Sequence, residues 1–332
     1  MLRHLLTTTI AASLLVAPAF GADIFGGKGD ADFLRDSYSS EWDMSDNGDP
    51  LDFEMGIRYY YSLGSSKLTV NGDEYSSEDK SSIVEIHARI DDNSTDTFLR
   101  GSAGYSASIS GTYESPERAG TQDINGGSIA YAGADFGYMP LGSSEFRLGG
   151  FVGYQFLRDN PDMGRSNYVN VNGGGGSRKN EFDINALRLG VVARADLGDM
   201  VDLNLEAAVI PYAHLGGTFG AFSLPNYLVG GTTYVQGSEG EISGNLYGAS
   251  GEAMLGFHPT DEITIRVGGR VTYLTGNATM SYTARDIAGP TPVDPLDPLG
   301  PQVPADSQRF ISDISGLELF RYGALIELTG RF

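Results

Sequence analysis

Arginine and carboxylate side chains recur at alternate positions along much of this chain. Between Phe53 and Leu63, for example, Glu54 and Arg58 alternate with apolar residues, and later segments repeat this spacing. Opposite charges that share one face of a sheet can form ion pairs, and their burial is tolerable only if each charge is matched and hydrogen-bonded. The predicted network comprises Arg58, Arg89, Arg100, Arg147, Arg188, Arg194, Glu206, Glu252, Arg266, Arg270, Arg321 and Glu327, and it is faced by further carboxylates, Glu54, Glu85, Asp91, Asp135, Asp196 and Asp202.

Two chemical roles are open to this network. The first is structural, as a set of buried ion pairs that fills the interior of a closed sheet. The second is a narrow ion-conducting path in which the arginines determine selectivity.

Four histidines could supply acid–base chemistry, namely His4, His87, His214 and His258. A general base needs a partner within hydrogen-bonding reach; carboxylates near His214 could orient it, but the sequence does not place them. His87 and His214 are predicted to point inward and to join the network, while His258 falls at a predicted turn. We therefore assign no catalytic, cofactor-binding or metal-binding residue, and we expect no cofactor.

The segments that carry these side chains have a period of two. In the last segment, which ends at Phe332, apolar or small residues alternate with mostly polar ones, as in a strand with one apolar face. Each such segment is about as long as a strand that crosses a bilayer at a tilt. The sequence therefore predicts an all-β fold, a transmembrane antiparallel up-and-down β-barrel of about ten strands, with twelve possible, long extracellular loops and short periplasmic turns.

Several connections have local features of their own. Residues 64–80 are predicted to form a polar loop, and residues 158–180, which include four consecutive glycines at 173–176, a flexible surface loop. Pro211 lacks the N–H group that a central strand needs, which predicts a bulge. The loop of residues 216–245 has room for an extra hairpin around 227–235, and the proline-rich residues 290–304 are expected to stay outside the sheet.

The start of the chain predicts export. A basic tip and a short apolar run end in Ala19-Phe20-Gly21, so residues 1–21 are predicted to be a signal peptide that is cleaved after Gly21. Residues 22–52 form an acidic periplasmic segment, either a flexible leader or a short plug, and the barrel is expected over residues 53–332. The absence of cysteine excludes a disulfide scaffold. The formal net charge of −21 argues against nucleic acid as a partner.

The chain resembles Gram-negative outer-membrane β-barrel proteins. The terminal Phe332, together with Phe320 and Tyr322, resembles the signal that the barrel-assembly machinery reads. This resemblance implies contact with that machinery, with outer-membrane lipid and with lipopolysaccharide, and we expect a monomer. The predicted strand number is similar to that of the omptin proteases, but their Asp-x-Asp-Trp motif is missing and His214 has Tyr212 where their Asp-x-His pair has an acidic residue.

These patterns favour a non-enzymatic surface barrel whose loops serve interaction, adhesion or envelope integrity. A narrow porin-like channel for small solutes is the second hypothesis. An omptin-like or lipid-modifying membrane hydrolase is the third, and no catalytic residue of either class can be assigned to this sequence.

Overall fold

A computed structural model describes residues 50–143, 145–198 and 200–332. The predicted signal peptide, His4 and nearly all of the predicted acidic segment lie outside these residues. Within them, no helix is long and apolar enough to cross a membrane. The first strand begins at Leu51, two residues before the predicted start of the barrel.

The strands account for most of the described chain. In order they are β1 (Leu51–Val70), β2 (Asp73–Asp92), β3 (Thr97–Ser115), β4 (Arg118–Ile124), β5 (Gly127–Gly142), β6 (Phe146–Pro161), β7 (Arg165–Val169), β8 (Gly175–Lys179), β9 (Glu181–Asp196), β10 (Val201–Thr218), β11 (Tyr227–Val229), β12 (Thr232–Gln236), β13 (Glu241–Phe257), β14 (Ile263–Asp286), β15 (Thr291–Pro292), β16 (Gln302–Val303) and β17 (Ser307–Arg331).

Ten of these strands form a closed antiparallel ring. The ring runs β1, β2, β3, β5, β6, β9, β10, β13, β14 and β17, and each strand pairs with the next. It closes because β17 pairs with β1 as well as with β14. The prediction of an up-and-down barrel of about ten strands is therefore confirmed.

The connections at the two ends of the barrel differ in length. Short turns join strands at the end that also holds residue 50 and Phe332, which we call the turn end. The opposite end, which we call the loop end, has one two-residue connection, between β1 and β2, and four long ones. The long connections carry the β3–β4, β7–β8 and β11–β12 hairpins and the two-residue β15–β16 pairing. The β11–β12 hairpin realises the extra hairpin predicted around residues 227–235.

Three predicted loops are more ordered than the sequence suggested. Gly175 and Gly176 pair with β7, so residues 173–176 lie partly within a hairpin. The proline-rich residues 290–304 stay outside the barrel but contain the β15–β16 pairing. The polar loop predicted for residues 64–80 is wrong, because β1 and β2 run through it and meet at a tight turn.

That turn consists of Asn71 and Gly72, which have φ angles of 54° and 94°. Two consecutive left-handed residues give the turn geometry that matches the twist of a hairpin, and Asn-Gly is its preferred sequence. The sequence pattern does not reveal this part of β1 and β2 as strand, because the outward residues beyond the apolar band are polar. The hairpin therefore extends past the lipid-facing part of the barrel.

The outer surface carries a continuous apolar band. On β1 the residues Phe53, Met55, Ile57, Tyr59 and Tyr61 are all exposed, and the same alternation recurs around the ring. A contiguous apolar surface of this extent is unfavourable in water but suits contact with lipid, and aromatic side chains at its edges suit the membrane interfaces.

Two β-bulges reverse the faces of the residues that follow them. In β10 the register shifts between Ile210 and Ala213, which confirms the bulge predicted at Pro211. One extra residue moves each later side chain to the other face. Ala213 is therefore buried and His214 exposed, so the inward direction predicted for His214 is wrong. A second shift, between β2 and β3, accompanies the burial of Ile109, which was predicted to face outward.

The barrel interior has two layers. Charged side chains predominate in the half nearer the turn end, where they enclose a small apolar cluster that includes Phe98 and Phe151. A larger apolar cluster that includes Leu68, Ile83 and Phe182 fills the half nearer the loop end. The loop residues Phe219 and Phe222 fold into this apolar layer and are almost fully buried. Their rings lie 4.9 Å from that of Tyr75 and 4.8 Å from that of Tyr282, respectively.

Candidate functional site

The most central carboxylate of the interior is Glu85, whose side chain is 0% exposed. Arg58 Nη1 donates to its Oε1 at 2.9 Å, and Arg270 Nη1 donates to its Oε2 at 2.8 Å. The Tyr131 hydroxyl donates to the same Oε2 at 2.5 Å. Arg270 also donates to Glu252 at 2.7 Å. These charge-assisted hydrogen bonds compensate charges that burial would otherwise make very unfavourable.

A second group alternates positive and negative charges around a ring of four side chains. Arg100 contacts Asp135 and Glu206, each at 2.5 Å. Arg188 contacts Asp135 at 3.1 Å and also pairs with Glu206. Both guanidinium groups lie near the face of the Phe151 ring, at 5.6 and 5.4 Å from its centroid. The aromatic ring thus helps to stabilise the two cations in a region with little water.

Glu327 links the closing strand to both of its neighbours. It pairs with Arg58 of β1 and accepts a hydrogen bond from Arg266 of β14 at 2.9 Å. Thr329 donates to the same carboxylate at 2.6 Å and lies 3.1 Å from His87 Nε2. His87 faces inward and belongs to this hydrogen-bonded group.

Nearer the turn end, Glu54 pairs with Arg331 at 2.9 Å and lies 3.5 Å from Arg194. Arg194 reaches Asp91 at 3.4 Å, and Arg89 donates two hydrogen bonds of 2.7 Å to the same carboxylate. The ion pairs thus continue from the middle of the barrel to its turn end.

Two residues that were predicted to join the interior ion pairs do not do so, and one predicted turn residue contacts an interior carboxylate. Arg147 donates to Asn93 at 3.1 Å and does not meet a carboxylate within the described pairings. Asp196 lies exposed at the turn end instead of facing the interior. His258 lies in the predicted turn, between β13 and β14, and its Nε2 lies 2.6 Å from the interior carboxylate of Asp202.

Sequence reasoning missed the carboxylates nearest the apolar layer. Arg321 contacts Asp79 at 2.9 Å and Asp159 at 3.1 Å. Both aspartates were hidden because residues 64–80 and the region after Arg158 were assigned to loops. The signal that could have found them is the alternation itself, since Asp79 continues the inward phase of β2.

A cavity of about 50 Å³ lies between the charged and the apolar layers. Tyr60, Asp159, Arg270, Leu274 and Arg321 are among the residues that line it. A volume of this size accommodates a few water molecules that can hydrogen-bond to its charged wall. Around this cavity, the interior side chains form salt bridges on the charged side and apolar contacts on the other.

The predicted assembly residues all lie on the outside of the closing strand. Phe320, Tyr322 and Phe332 are exposed, and Phe332 is 82% exposed. The backbone N–H group of Phe332 donates to the carbonyl oxygen of Phe53 at 2.9 Å, so the last residue still pairs with β1. The terminal aromatic ring is therefore held at the turn end with its surface free.

Comparison with known proteins identifies the fold. No protein-family model matches the sequence, and no curated protein is similar to it. Among solved structures, the outer-membrane protease OmpT from Escherichia coli is similar, with a TM-score of 0.54, 11% identity, and coverage of 85% of this chain and 97% of that chain. At that identity the similarity concerns the fold alone.

Two further solved barrels align with lower scores. The translocator domain of the autotransporter NalP from Neisseria meningitidis has a TM-score of 0.36 and 10% identity, over 87% of this chain and 90% of that chain. The toluene transporter TodX from P. putida has a TM-score of 0.28 and 12% identity, over 86% and 91%. With its closed ring of ten antiparallel strands and its apolar exterior, the chain has the fold of an outer-membrane β-barrel protein.

Proposed function

We propose that this protein is a closed, non-enzymatic outer-membrane barrel whose extracellular loops serve interaction, adhesion or envelope integrity. The observation that carries the proposal is the two-layered filling of the interior. A conducting pore needs a hydrated path lined by groups that replace the ion's water shell. Among the described residues, the layer closed by Phe219 and Phe222 is formed mainly by hydrocarbon and aromatic side chains, and the arginines beneath it are engaged in ion pairs.

The loop between β14 and β17 offers a surface for contact. Its prolines recur at every third position from Pro292 to Pro304, and Leu296 and Leu299 are 92% and 96% exposed. The Asp294 carboxylate accepts a hydrogen bond of 2.9 Å from the Leu296 N–H group, which holds the turn. Exposed apolar side chains on a pre-ordered segment lose little entropy on binding and are typical of contact surfaces.

The proposal predicts that the refolded, signal-free protein is silent in a planar bilayer. A folded state is verified by its heat-modifiable mobility on gels. Discrete and reproducible openings, with ion selectivity altered by Arg270→Glu, would establish the porin-like channel instead and overturn the proposal.

The role of the loop is tested in a variant in which residues 290–304 are replaced by a Gly-Ser linker. Unchanged surface binding and unchanged envelope phenotypes in this variant would remove the proposed role of the loop.

The proposal also includes the route to the membrane. We propose that the chain is exported through a signal peptide that is cleaved after Gly21 and is then recognised by the barrel-assembly machinery. In the membrane it contacts outer-membrane lipid and lipopolysaccharide. The exposed ring of Phe332 on the closing strand supports recognition by that machinery.

Deletion of Phe332 is expected to lower the yield of assembled barrel in cells, because it removes the terminal aromatic side chain that the machinery would read. The yield is measured as heat-modifiable protein in the outer-membrane fraction. Deletion of the exposed Leu299 of the β14–β17 loop provides a control that shortens the chain by one residue elsewhere. An equal yield from the two deletion variants would contradict the prediction.

A further inference from the structure

A row of polar side chains crosses the outside of the barrel at the edge of its apolar band. Asn185 of β9 faces His214 of β10, His214 faces Asn245 of β13, and Asn245 faces Asn277 of β14. Four adjacent strands thus contribute one residue each to what we call the polar row. With neighbouring strands about 4.8 Å apart, the row is about 14 Å long.

The polar row faces outward because its neighbours along each strand face inward. Ile184 and Ala186 are buried on either side of Asn185, and Ala213 and Leu215 are buried on either side of His214. The bulge at Pro211 is what brings His214 into line with the asparagines.

The row lies at the edge of the apolar band. One outward position nearer the turn end, β9, β10 and β13 carry the exposed side chains of Leu187, Tyr212 and Tyr247. Aromatic residues at the rim of a lipid-facing band mark the interface with the headgroups. The polar row therefore lies where the headgroups of the outer leaflet begin, directly beyond the surface that their acyl chains contact.

Apart from the Asn185 carbonyl oxygen, the side-chain polar groups of the row have no hydrogen-bond partner among the described residues and can bind a ligand. The Tyr154 hydroxyl donates to Asn185 Oδ1 at 2.5 Å, which fixes this amide and directs its NH₂ group elsewhere. His214 Nε2 lies 3.8 Å from the point where a side chain at Gly216 would begin, so the glycine leaves the imidazole uncovered.

The chemistry of the row indicates the kind of headgroup. Three amides and an imidazole both donate and accept hydrogen bonds, as the hydroxyl groups of a sugar require, whereas a phosphate calls for Lys or Arg. The nearest guanidinium along β6, that of Arg158, is engaged by Asp183 at 2.7 and 2.8 Å. On the other side of the barrel, β2 instead carries Glu78 and Lys80 at exposed outward positions beyond its apolar band.

We propose that the polar row binds the hydroxyl-rich headgroup of a glycolipid in the outer leaflet, with the acyl chains packed against Tyr212 and Tyr247. This inference rests on the insertion into the outer membrane that the proposed function includes, but not on a closed interior or on the role of the loops. A silent barrel and a conducting one would carry the same site.

The test measures how much lipopolysaccharide the refolded full-length mature protein retains, by native mass spectrometry after extraction from mixed lipid bilayers. The variant Asn185→Ala/His214→Ala/Asn245→Ala is expected to retain about tenfold less or lower, because each lost hydrogen bond contributes about 0.5–1.5 kcal/mol. Ser110→Ala, at an exposed position of β3, is the matched control and should retain as much as the unchanged protein. Equal retention by the triple variant and the unchanged protein would overturn the proposal.

Competing lipids separate the possible sources of binding. Phosphatidylglycerol should not displace lipopolysaccharide, and displacement that depends on the row would show phosphate recognition and overturn the sugar assignment. Deacylated lipopolysaccharide should compete weakly because it lacks the chains that pack on the tyrosines, and equal competition would overturn the lipid part. If the triple variant does not refold, the retention of lipopolysaccharide is measured for the three single variants, each of which changes one outward side chain.

Discussion

Replacing Glu85 by alanine is expected to lower the free energy of unfolding of the barrel by about 3–5 kcal/mol, since removing one member of a buried ion pair leaves an uncompensated charge. Glu85 is shared by Arg58 and Arg270 and also accepts the hydrogen bond of Tyr131. Its loss therefore deprives three buried groups of a partner at once. Glutamine in its place keeps the shape and one acceptor, so Glu85→Gln should have a smaller effect.

The measurement is the urea dependence of the heat-modifiable folded fraction in lipid vesicles. Glu78→Ala is the matched control, because Glu78 is an exposed carboxylate on the same strand and its loss should change the free energy of unfolding by less than about 0.5 kcal/mol. Equal midpoints for Glu85→Ala and Glu78→Ala would mean that the interior ion pairs contribute no net stability.

Replacing Phe219 by alanine is expected to release the loop that seals the apolar layer. The ring is 1% exposed and contacts Tyr75 edge-on and Phe182 in a stacked arrangement. Truncation of a fully buried phenylalanine costs about 3–5 kcal/mol when the cavity cannot collapse. The strands of the barrel pair independently of this loop, so the energy is lost mainly from the docking of residues 219–226.

Limited digestion with chymotrypsin measures this release. In Phe219→Ala the remaining Phe222 should become accessible and the chain should be cut in this loop, whereas the same loop of the unchanged protein should resist cleavage. Leu228→Ala, which alters an exposed side chain of the next strand, should resist as well. Resistance of Phe219→Ala equal to that of Leu228→Ala would show that other contacts hold the loop in place.

Two other loop-end segments also contribute hydrogen bonds to the loop of residues 219–226. Asn180 accepts a hydrogen bond of 3.2 Å from the Gly220 N–H group, and Gln236 accepts one of 2.9 Å from that of Leu224. Gln236 also donates to Ser166 at 2.6 Å, which ties this segment to β7. None of these links has a periodic signature, so the sequence indicated a long loop but not its folded position.

The architecture was predictable because lipid on one side and charge on the other impose a strict alternation. This alternation alone predicts the ten strands and places Arg58, Arg100 and Glu327 on the interior face. It stops being informative where water replaces lipid, which is why the extension of β1 and β2 to the turn at Asn71 has the pattern of a polar loop.

The predicted facing of individual residues is wrong where the ladder contains an extra residue. Pro211 predicts the bulge, but an uninterrupted alternation continued past it places His214 in the interior. The bulge that accompanies the burial of Ile109 involves no proline and has no signal in the sequence. Which ion pairs form across the interior depends on non-adjacent strands such as β2 and β14, and strand pairing alone does not specify these contacts.

Because β17 pairs with both β1 and β14, the ring closes only when this strand is present. Glu327 lies on β17, the last strand of the ring along the chain, yet it neutralises Arg58 on the first strand and Arg266 on the penultimate one. A chain that is cut short before β17 therefore presents those guanidinium groups without this counterion at the edges of an open sheet. Unmatched charge of this kind opposes entry into hydrocarbon, so we expect a chain that lacks β17 to insert into a bilayer less readily than the complete ring.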